Sequence, residues 1–357
     1  MLHSSTVLEK IERVLSCVGR GCYHSLVKIG ILGLGFMGAA HIGAFSKLPG
    51  VEVAAVSSGN ALALSGDLSQ TGGNLGREGG KYDFSKVRKY KDWRDLTADK
   101  DLDAVDICLP TDLHAPAAAA ALQTGKHVLC EKPMALTTEE CDRMIALARQ
   151  HKRVLMIAQV LRFWPEYLYL KEFVSGGKYG RIQSATFVRR SGIPDWSTWL
   201  TDSNRSGGAI LDMLIHDLDQ ILWLFGAPKR LAGKSLGEID TVSATLLYPN
   251  GPEVRVQGGW FAPGTPFAMG FNVRAERAEL ELTPEGLRLN DASGNTTVLK
   301  PEGPDGYEAE TAYFVQCCET NTQPVRCPPE ESAKAVTLAL LLNKSRVEGG
   351  NQIECHL

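Results

Sequence analysis

The 357-residue sequence lacks a long apolar run, a paired-cysteine pattern and an excess of charge of either sign. Each absence removes a class of function. A membrane-spanning helix needs about 20 consecutive apolar residues; the candidates here, 207–226 and Ala115–Leu122, are broken by charge or too short, so no membrane association is expected. Basic and acidic residues nearly balance, 38 Lys and Arg against 41 Asp and Glu, for a formal net charge of −3 with the basic residues scattered. That excludes the clustered positive surface of a nucleic-acid partner. The nine cysteines form no CxxC pair and no secreted disulfide spacing, and read as reduced thiols. Cys108 and Cys130, inside apolar runs, read as small core hydrophobes, and the vicinal Cys317 and Cys318 have no metal-spaced partner. No metal centre is expected. In residues 1–26, Glu9, Lys10, Glu12 and Arg13 interrupt Val7, Leu8, Ile11, Val14 and Leu15. A signal-peptide core is therefore missing, a short amphipathic helix is expected, and the cytoplasm is the expected compartment.

What is present reads as a globular chain, 44% hydrophobic and 22% charged, of about two domains at roughly 150 residues each. After the extension 1–26, a first domain over 27–160 alternates strand and helix. Val27–Leu32 is a β-branched strand leading into Gly33-Leu34-Gly35-Phe36-Met37-Gly38 and then a helix-compatible run from Ala39. In that strand–turn–helix setting Gly33 makes the tight turn, Gly35 lets a pyrophosphate approach the backbone, and Gly38 lets helix and strand pack closely. The second strand, Val51–Val56, ends in Ser57-Ser58-Gly59-Asn60, where no carboxylate stands to bond ribose hydroxyls or repel a 2′-phosphate. The expected cofactor is NAD or NADP. NADP is slightly preferred, although no Lys or Arg adjoins the turn. The glycine-rich segment 66–80 is expected to be a mobile loop and receives no chemistry.

Strands at Val87–Tyr90, Ala104–Leu109, His127–Leu129 and Val154–Val160 continue the alternation, with helices from Trp93, at Ala115–Thr124 and at Thr137–Gln150. The strand at His127 delivers Cys130-Glu131-Lys132-Pro133 at its carboxyl end, the end where open parallel sheets bind ligands. Lys132, held by the proline behind it, reads as a positioned proton donor or acceptor, or as a surface lysine in a turn.

Residues 207–226 form the chain's most apolar stretch, running from Gly207-Gly208 to Gly226. On one continuous helix, Asp212, His216 and Asp219 fall within roughly 60° of one another. A buried polar stripe of this kind faces either a hydrogen-bonded network or a pocket. A structural Asp–His bond and a functional site are both open from this stretch alone.

Together the glycine turn, Glu131-Lys132-Pro133 and Gly207-Gly208-Ala209 followed by Asp212, His216 and Asp219 resemble the Gfo/Idh/MocA family of sugar and polyol oxidoreductases, over Val27 to the end. The resemblance implies that Lys132, Asp212 and His216 surround the substrate carbon facing a nicotinamide. It also implies cofactor contacts from Gly33 to Gly38 and from Pro110, Thr111, His114, Glu131, Lys132 and Gln159, with Ser57, Ser58 and Asn60 corresponding to an NADP-binding segment of one member. Ser206 precedes the glycine pair where the family often has a third glycine. Leu200 follows Trp199 where the family often has Arg. The implied activity is hydride transfer between NAD(P) and a secondary hydroxyl or ketone of a sugar, inositol or polyol. Two alternatives within the family are a redox glycosidase using held NAD and a non-catalytic dinucleotide sensor.

From Leu161 the text changes to a substrate domain, 161–357. Arg162, Trp164, Tyr167, Asp195, Trp196 and Trp199 are candidates to stack on or bond a sugar, alongside Lys132, Asp212 and His216; core packing is the competing reading for each aromatic. Alternating runs at Arg181–Arg190, Thr241–Tyr248, Glu253–Trp260, Ala268–Arg274 and Ala278–Leu282 predict an open, mostly antiparallel sheet flanked by helices, including Tyr307–Thr320 and Ser332–Glu348. The fold expected is thus α/β followed by α+β: a Rossmann doubly wound parallel sheet, then this sheet domain, with the last helix returning to the first. A homodimer or homotetramer through the second sheet's open face is expected.

Overall fold

The computed structural model describes residues 26–73, 79–237 and 239–357; the amphipathic helix expected before Val27 lies outside the described residues. Six short apolar strands, β1 (Val27–Leu32), β2 (Val51–Ser57), β3 (Arg88–Tyr90), β4 (Ala104–Ile107), β5 (His127–Cys130) and β6 (Leu155–Ile157), form one sheet in the order β3-β2-β1-β4-β5-β6. All its pairings are parallel. β4, β5 and β6 are buried along their whole length, as strands covered by helices on both faces must be. This is the Rossmann order, and the chain reverses direction between β1 and β4. The helix Thr138–His151 begins with a capping box, Thr137 accepting from the Glu140 N–H while Glu140 accepts from the Thr137 N–H.

The second sheet has nine strands: β7 (Ile182–Gly192), β8 (Arg230–Lys234), β9 (Asp240–Leu247), β10 (Glu253–Phe261), β11 (Ala268–Ala275), β12 (Ala278–Thr283), β13 (Gly286–Asp291), β14 (Thr296–Leu299) and β15 (Ile353–Glu354). Their order is β14-β13-β12-β11-β7-β10-β9-β8-β15, antiparallel throughout except for β7 with β10. β8, β13, β14 and β15 carry weak period-two patterns and were not anticipated; β14 is largely exposed at the sheet's edge. One apolar core runs from Leu32 and Ile107 through Tyr167 and Leu218 to Val256 and Leu342. The two sheets are therefore joined by packed side chains. The helix Gly306–Thr320 packs on the helix Phe36–Phe45, and Pro329–Val347 reaches from β8 to Thr138–His151.

The stretch 207–226 departs from expectation. It is two helices, Gly208–Asp212 and Ile215–Phe225. The Ala209 carbonyl accepts from both Met213 N–H and Leu214 N–H, at 2.9 and 3.2 Å, a widened turn that shifts the phase of everything after it. His216 and Asp219 both follow that turn and shift together relative to Asp212. The Asp219 carboxylate accepts from Arg162 Nε and Nη2 at 2.9 and 2.8 Å. Both side chains are about 1% exposed. Arg162 Nη1 also donates to Glu331 Oε2 at 2.5 Å and to the Arg326 carbonyl at 2.9 Å.

Arg162 is thereby corrected from a sugar-bonding candidate to a buried tie between the turn after β6, the helix Ile215–Phe225 and the helix Pro329–Val347. Its guanidinium is already engaged on both arms. Trp164 is corrected likewise: it does not line the cleft and packs against Gly306, where an added Cβ would meet its Cδ1 at 1.8 Å. Removing one member of a buried ion pair leaves the other charge uncompensated and costs about 3–5 kcal/mol. Arg162→Leu is therefore expected to lower the urea unfolding free energy by about that amount; a loss below about 1 kcal/mol would show the tie to be dispensable.

Candidate active site

The cleft lies between the two sheets, at the carboxyl ends of β1, β4 and β5, and has a volume of about 510 Å³. Its floor is the glycine turn. Gly33 has φ +95°, and a Cβ there would lie 2.4 Å from the Cys108 carbonyl oxygen, so β1 and β4 approach this closely only with glycine. At Gly38 a Cβ would lie 2.1 Å from the Gly33 oxygen, whereas at Gly35 it would meet nothing within 4 Å. The space over Gly35 opens to the cleft rather than to packed protein. No side chain caps the helix Phe36–Phe45, and its first turn carries no acid. An uncapped helix N-terminus beside an open glycine fits a pyrophosphate.

Of the residues expected to hold the dinucleotide, Gly33, Gly35, Phe36, Met37, Pro110, Thr111, His114, Glu131 and Lys132 line the cleft. Leu34, Gly38, Ser57, Ser58, Asn60 and Gln159 stand outside its wall. Leu34 is buried in the core, and Gly38 serves helix packing. Asn60 Oδ1 accepts from the Leu62 and Ala63 N–H groups, and Ser58 Oγ accepts from the Asn60 N–H, so both are committed to the local turn. Ser57 and Gln159 are buried. Gln70, Thr71, Gly72 and Gly73 line the cleft instead. A glycine-rich run has no periodicity to place it, so nothing in the sequence marked these residues.

Glu131 organises the near wall. Its Oε2 accepts from the Lys132 N–H at 3.0 Å, and its Oε1 lies 3.2 Å from His41 Nε2. His41 Nδ1 lies 2.8 Å from Asp106 Oδ2, and Cys108 Sγ is 3.7 Å from the same ring nitrogen. An imidazolium here donates from Nδ1 to Asp106 and stands at ion-pair distance from Glu131 on its other side. Burial pulls the His41 pKa down, but the Asp106 charge, Cys108 and the hydrogen bonds outweigh it and hold it well above the ordinary value. Glu131 moves the other way: burial raises it, and the His41 bond and charge with Lys132 and His114 bring it net below the usual carboxylate range. Glu310 is fully buried above the same cluster and is pushed well up by burial, with His41 opposing and Glu131 and Asp106 adding. Cys108, expected to be a core hydrophobe, is half-buried and faces both this cluster and the cleft. His114 spans the two strand-end loops, with ring nitrogens 2.7 Å from the Pro133 carbonyl and 2.8 Å from the Leu109 carbonyl.

Lys132, Asp212 and His216 come together on one wall of the cleft. Lys132 Nζ donates to the Asp212 carbonyl at 2.7 Å and to Asp212 Oδ1 at 3.4 Å. Burial, then the Lys132 and Arg189 charges, pushes the His216 pKa well below 6.5, so the ring is neutral at pH 7. Arg189, which the sequence reading missed, lines the cleft from β7 and donates Nε and Nη2 to Asp217 at 2.8 and 3.2 Å. A charged residue among inward-facing apolar positions of β7 was the available signal. Trp196, Trp199 and Leu200 line the opposite side. Asp195 is exposed, while Tyr167 is fully buried.

Residues 27–159 match the family model described as "Oxidoreductase family, NAD-binding Rossmann fold", and residues 167–281 match the Gfo/Idh/MocA C-terminal domain. The chain belongs to the Gfo/Idh/MocA family. An uncharacterized oxidoreductase of Bacillus subtilis strain 168, YrbE, is 27% identical over 90% of this chain and 94% of its own length. The inositol 2-dehydrogenase of Salmonella paratyphi B is 31% identical over 56% of this chain, and that alignment spans only 54% of the dehydrogenase. A levoglucosan dehydrogenase structure in complex with NADH and levoglucosan superposes with a TM-score of 0.79 at 20% identity, covering 93% of this chain and 100% of that one. At that identity the likeness shows the shared fold. This Gfo/Idh/MocA chain is thus an NAD-binding oxidoreductase-family protein with sugar and inositol dehydrogenases among its relatives. Among the described residues no helix is long and apolar enough to cross a membrane, and the seven described cysteines are free.

The buried cluster ties stability to pH. A histidine whose folded pKa is raised contributes stability that is complete below its unfolded value, about 6.5, and is lost as pH rises through the folded value. His114, His127 and His216 all have lowered values, so they add no pH dependence above that point. The urea midpoint of the wild type is expected to fall as pH rises from about 7, and that of His41→Gln to fall less steeply over the same range, where buried Glu310 still contributes. Parallel pH profiles for the two proteins would show that His41 is not a source of the slope.

Proposed function

We propose that this protein transfers a hydride reversibly between NAD(P) and a secondary hydroxyl or ketone of a sugar, inositol or related polyol. The observation that carries the reading is the convergence of Lys132, Asp212 and His216 on the cleft that continues onto the open glycine turn. The nicotinamide, when bound, supplies the hydride acceptor or donor. The chain's own residues handle the proton and the geometry. Lys132 and His216 share the substrate hydroxyl proton, the lysine as an ammonium donor to the oxygen and the neutral imidazole as a lone-pair acceptor. Asp212 orients the lysine through its carbonyl and carboxylate. Trp196 and Trp199 offer faces for a sugar ring on the far side.

The end of β2 bears no carboxylate, so a 2′-phosphate meets no repulsion there, which supports acceptance of NADP beside NAD. The reading assigns cofactor binding to 27–160 and substrate binding to 161–357. It also includes a homodimer or homotetramer through the face of the second sheet that the helices leave open, where Arg255, Gln257 and Arg274 are exposed. Size-exclusion chromatography with light scattering is expected to give a multiple of the 38.8 kDa chain mass; a monomer at micromolar concentration overturns that part.

Nicotinamide absorbance across a panel of sugars, inositols and glycosides, with NAD⁺ and NADP⁺ in turn, tests the activity. Reduction is expected with at least one polyol or sugar. Lys132→Ala is expected to lower kcat by about 10²–10⁴ while nearly preserving cofactor affinity. Glycoside cleavage without net cofactor reduction, or turnover that survives in Lys132→Ala, would overturn the assignment.

A further inference from the structure

At the sheet end opposite the cleft, the chain enters β4, β5 and β6 side by side, with Asp103, Lys126 and Arg153 standing just before them and His127 opening β5. Together with Lys100 and Thr124 these residues line a cavity of about 280 Å³. Lys126 and Lys132 flank the same strand, roughly 20 Å apart at about 3.3 Å per residue. The cavity is therefore separate from the cleft.

Its donors lack acceptors. Lys126 is 2% exposed, yet among the described residues its Nζ donates only to Thr124 Oγ1 at 3.4 Å, beyond the ordinary range. Burial lowers its pKa, and Asp99, whose charge opposes this, is itself bonded to Arg88 and Tyr90. His127 Nδ1 accepts from the Val154 N–H at 3.0 Å. Burial and then the Arg153 charge push that histidine down to about 4, so the ring is neutral and its single proton sits on Nε2. This N–H faces another donor, Arg153 Nη1, at 3.5 Å. Arg153 Nε is also buried, with no partner among the described residues. Asp103, the one carboxylate on the cavity wall, gives Oδ2 to the Lys28 N–H.

Three cationic side chains and a neutral N–H thus converge against a single carboxylate. A water molecule would bridge two donors but leave the charge uncompensated. An oxyanion answers both deficits, since each oxygen accepts charge-assisted bonds from more than one donor. We propose that this cavity binds a tetrahedral oxyanion of the phosphate or sulfate type, either free or as the phosphoryl group of a small metabolite.

The test follows the melting temperature of the full chain, with and without saturating NADH, in phosphate, sulfate or chloride at equal ionic strength. Binding to the native state raises Tm with ligand concentration. Phosphate and sulfate are expected to raise it, chloride is not, and the rise is expected to persist with NADH present, which occupies the other anion-ready position. Lys126→Met is expected to weaken the phosphate effect at least tenfold and, by removing a buried unpaired charge, to melt no lower than wild type without phosphate. Arg153→Gln, at a half-exposed position, carries the same test if the methionine variant fails to fold. Glucose 6-phosphate compared with inorganic phosphate separates the two sources: a lower half-saturating concentration for one names it as the better ligand, and either order supports the site. A rise equal to that in chloride, a rise abolished by NADH, or one unchanged in both variants overturns the proposal.

Discussion

Two buried arginine–aspartate pairs hold the helix Ile215–Phe225 in place, and the substrate wall of the cleft depends on them. Arg189 from β7 takes Asp217, and Arg162 from the turn after β6 takes Asp219. His216 immediately precedes these two anchors in sequence. A helix tied at two successive odd positions to two different elements has no freedom to rotate, so the imidazole stays on the face that meets Lys132. Charges this deeply buried are costly unless paired, and both guanidiniums make two bonds to their carboxylates. The same Arg189 that anchors the helix also lowers the His216 pKa. Anchoring and tuning are thus one interaction.

The opposite wall is built by a different economy. Glu131 connects the backbone of Lys132 to His41, and His41 connects to Asp106 on β4, the strand beside the glycine turn. Side chains from the helix Phe36–Phe45, β4 and the end of β5 are thereby linked across the point where strand order reverses. His114 adds a second link between the loops after β4 and β5. The lysine is held through its main chain by Glu131 and through its ammonium by Asp212. It therefore belongs to both walls, and its position reports how the two sheets are docked.

The two ends of the first sheet contrast in their balance of donors and acceptors. At the carboxyl ends of the strands, cations and carboxylates alternate, His41 between Asp106 and Glu131 and Lys132 beside Asp212. At the amino ends, Lys126, His127 and Arg153 present donors to one another. Parallel strands bring equivalent ends together, so residues far apart in sequence become one cavity at either edge.

The sequence by itself determined the glycine turn, the parallel sheet and the delivery of Lys132 to a strand end, because strand periodicity, glycine geometry and the edge rule for open sheets act over short stretches of chain. For Asp212 and His216 the helix pattern left a structural bond and a site both open, and only the family resemblance implied a site. What only the tertiary structure decided was where the phase of a helix breaks and which charge meets which. The helical wheel assumed an unbroken helix over 207–226; the doubly accepting Ala209 carbonyl shifted His216 and Asp219 together relative to Asp212, and the docking of the turn after β6 made Arg162 the buried counter-ion of Asp219 rather than a ligand contact. Gln70 to Gly73 joined the cleft, and Trp164 left it, for the same reason. A side chain's partner across 50 or 100 residues is set by how the sheets dock, and no local pattern encodes that.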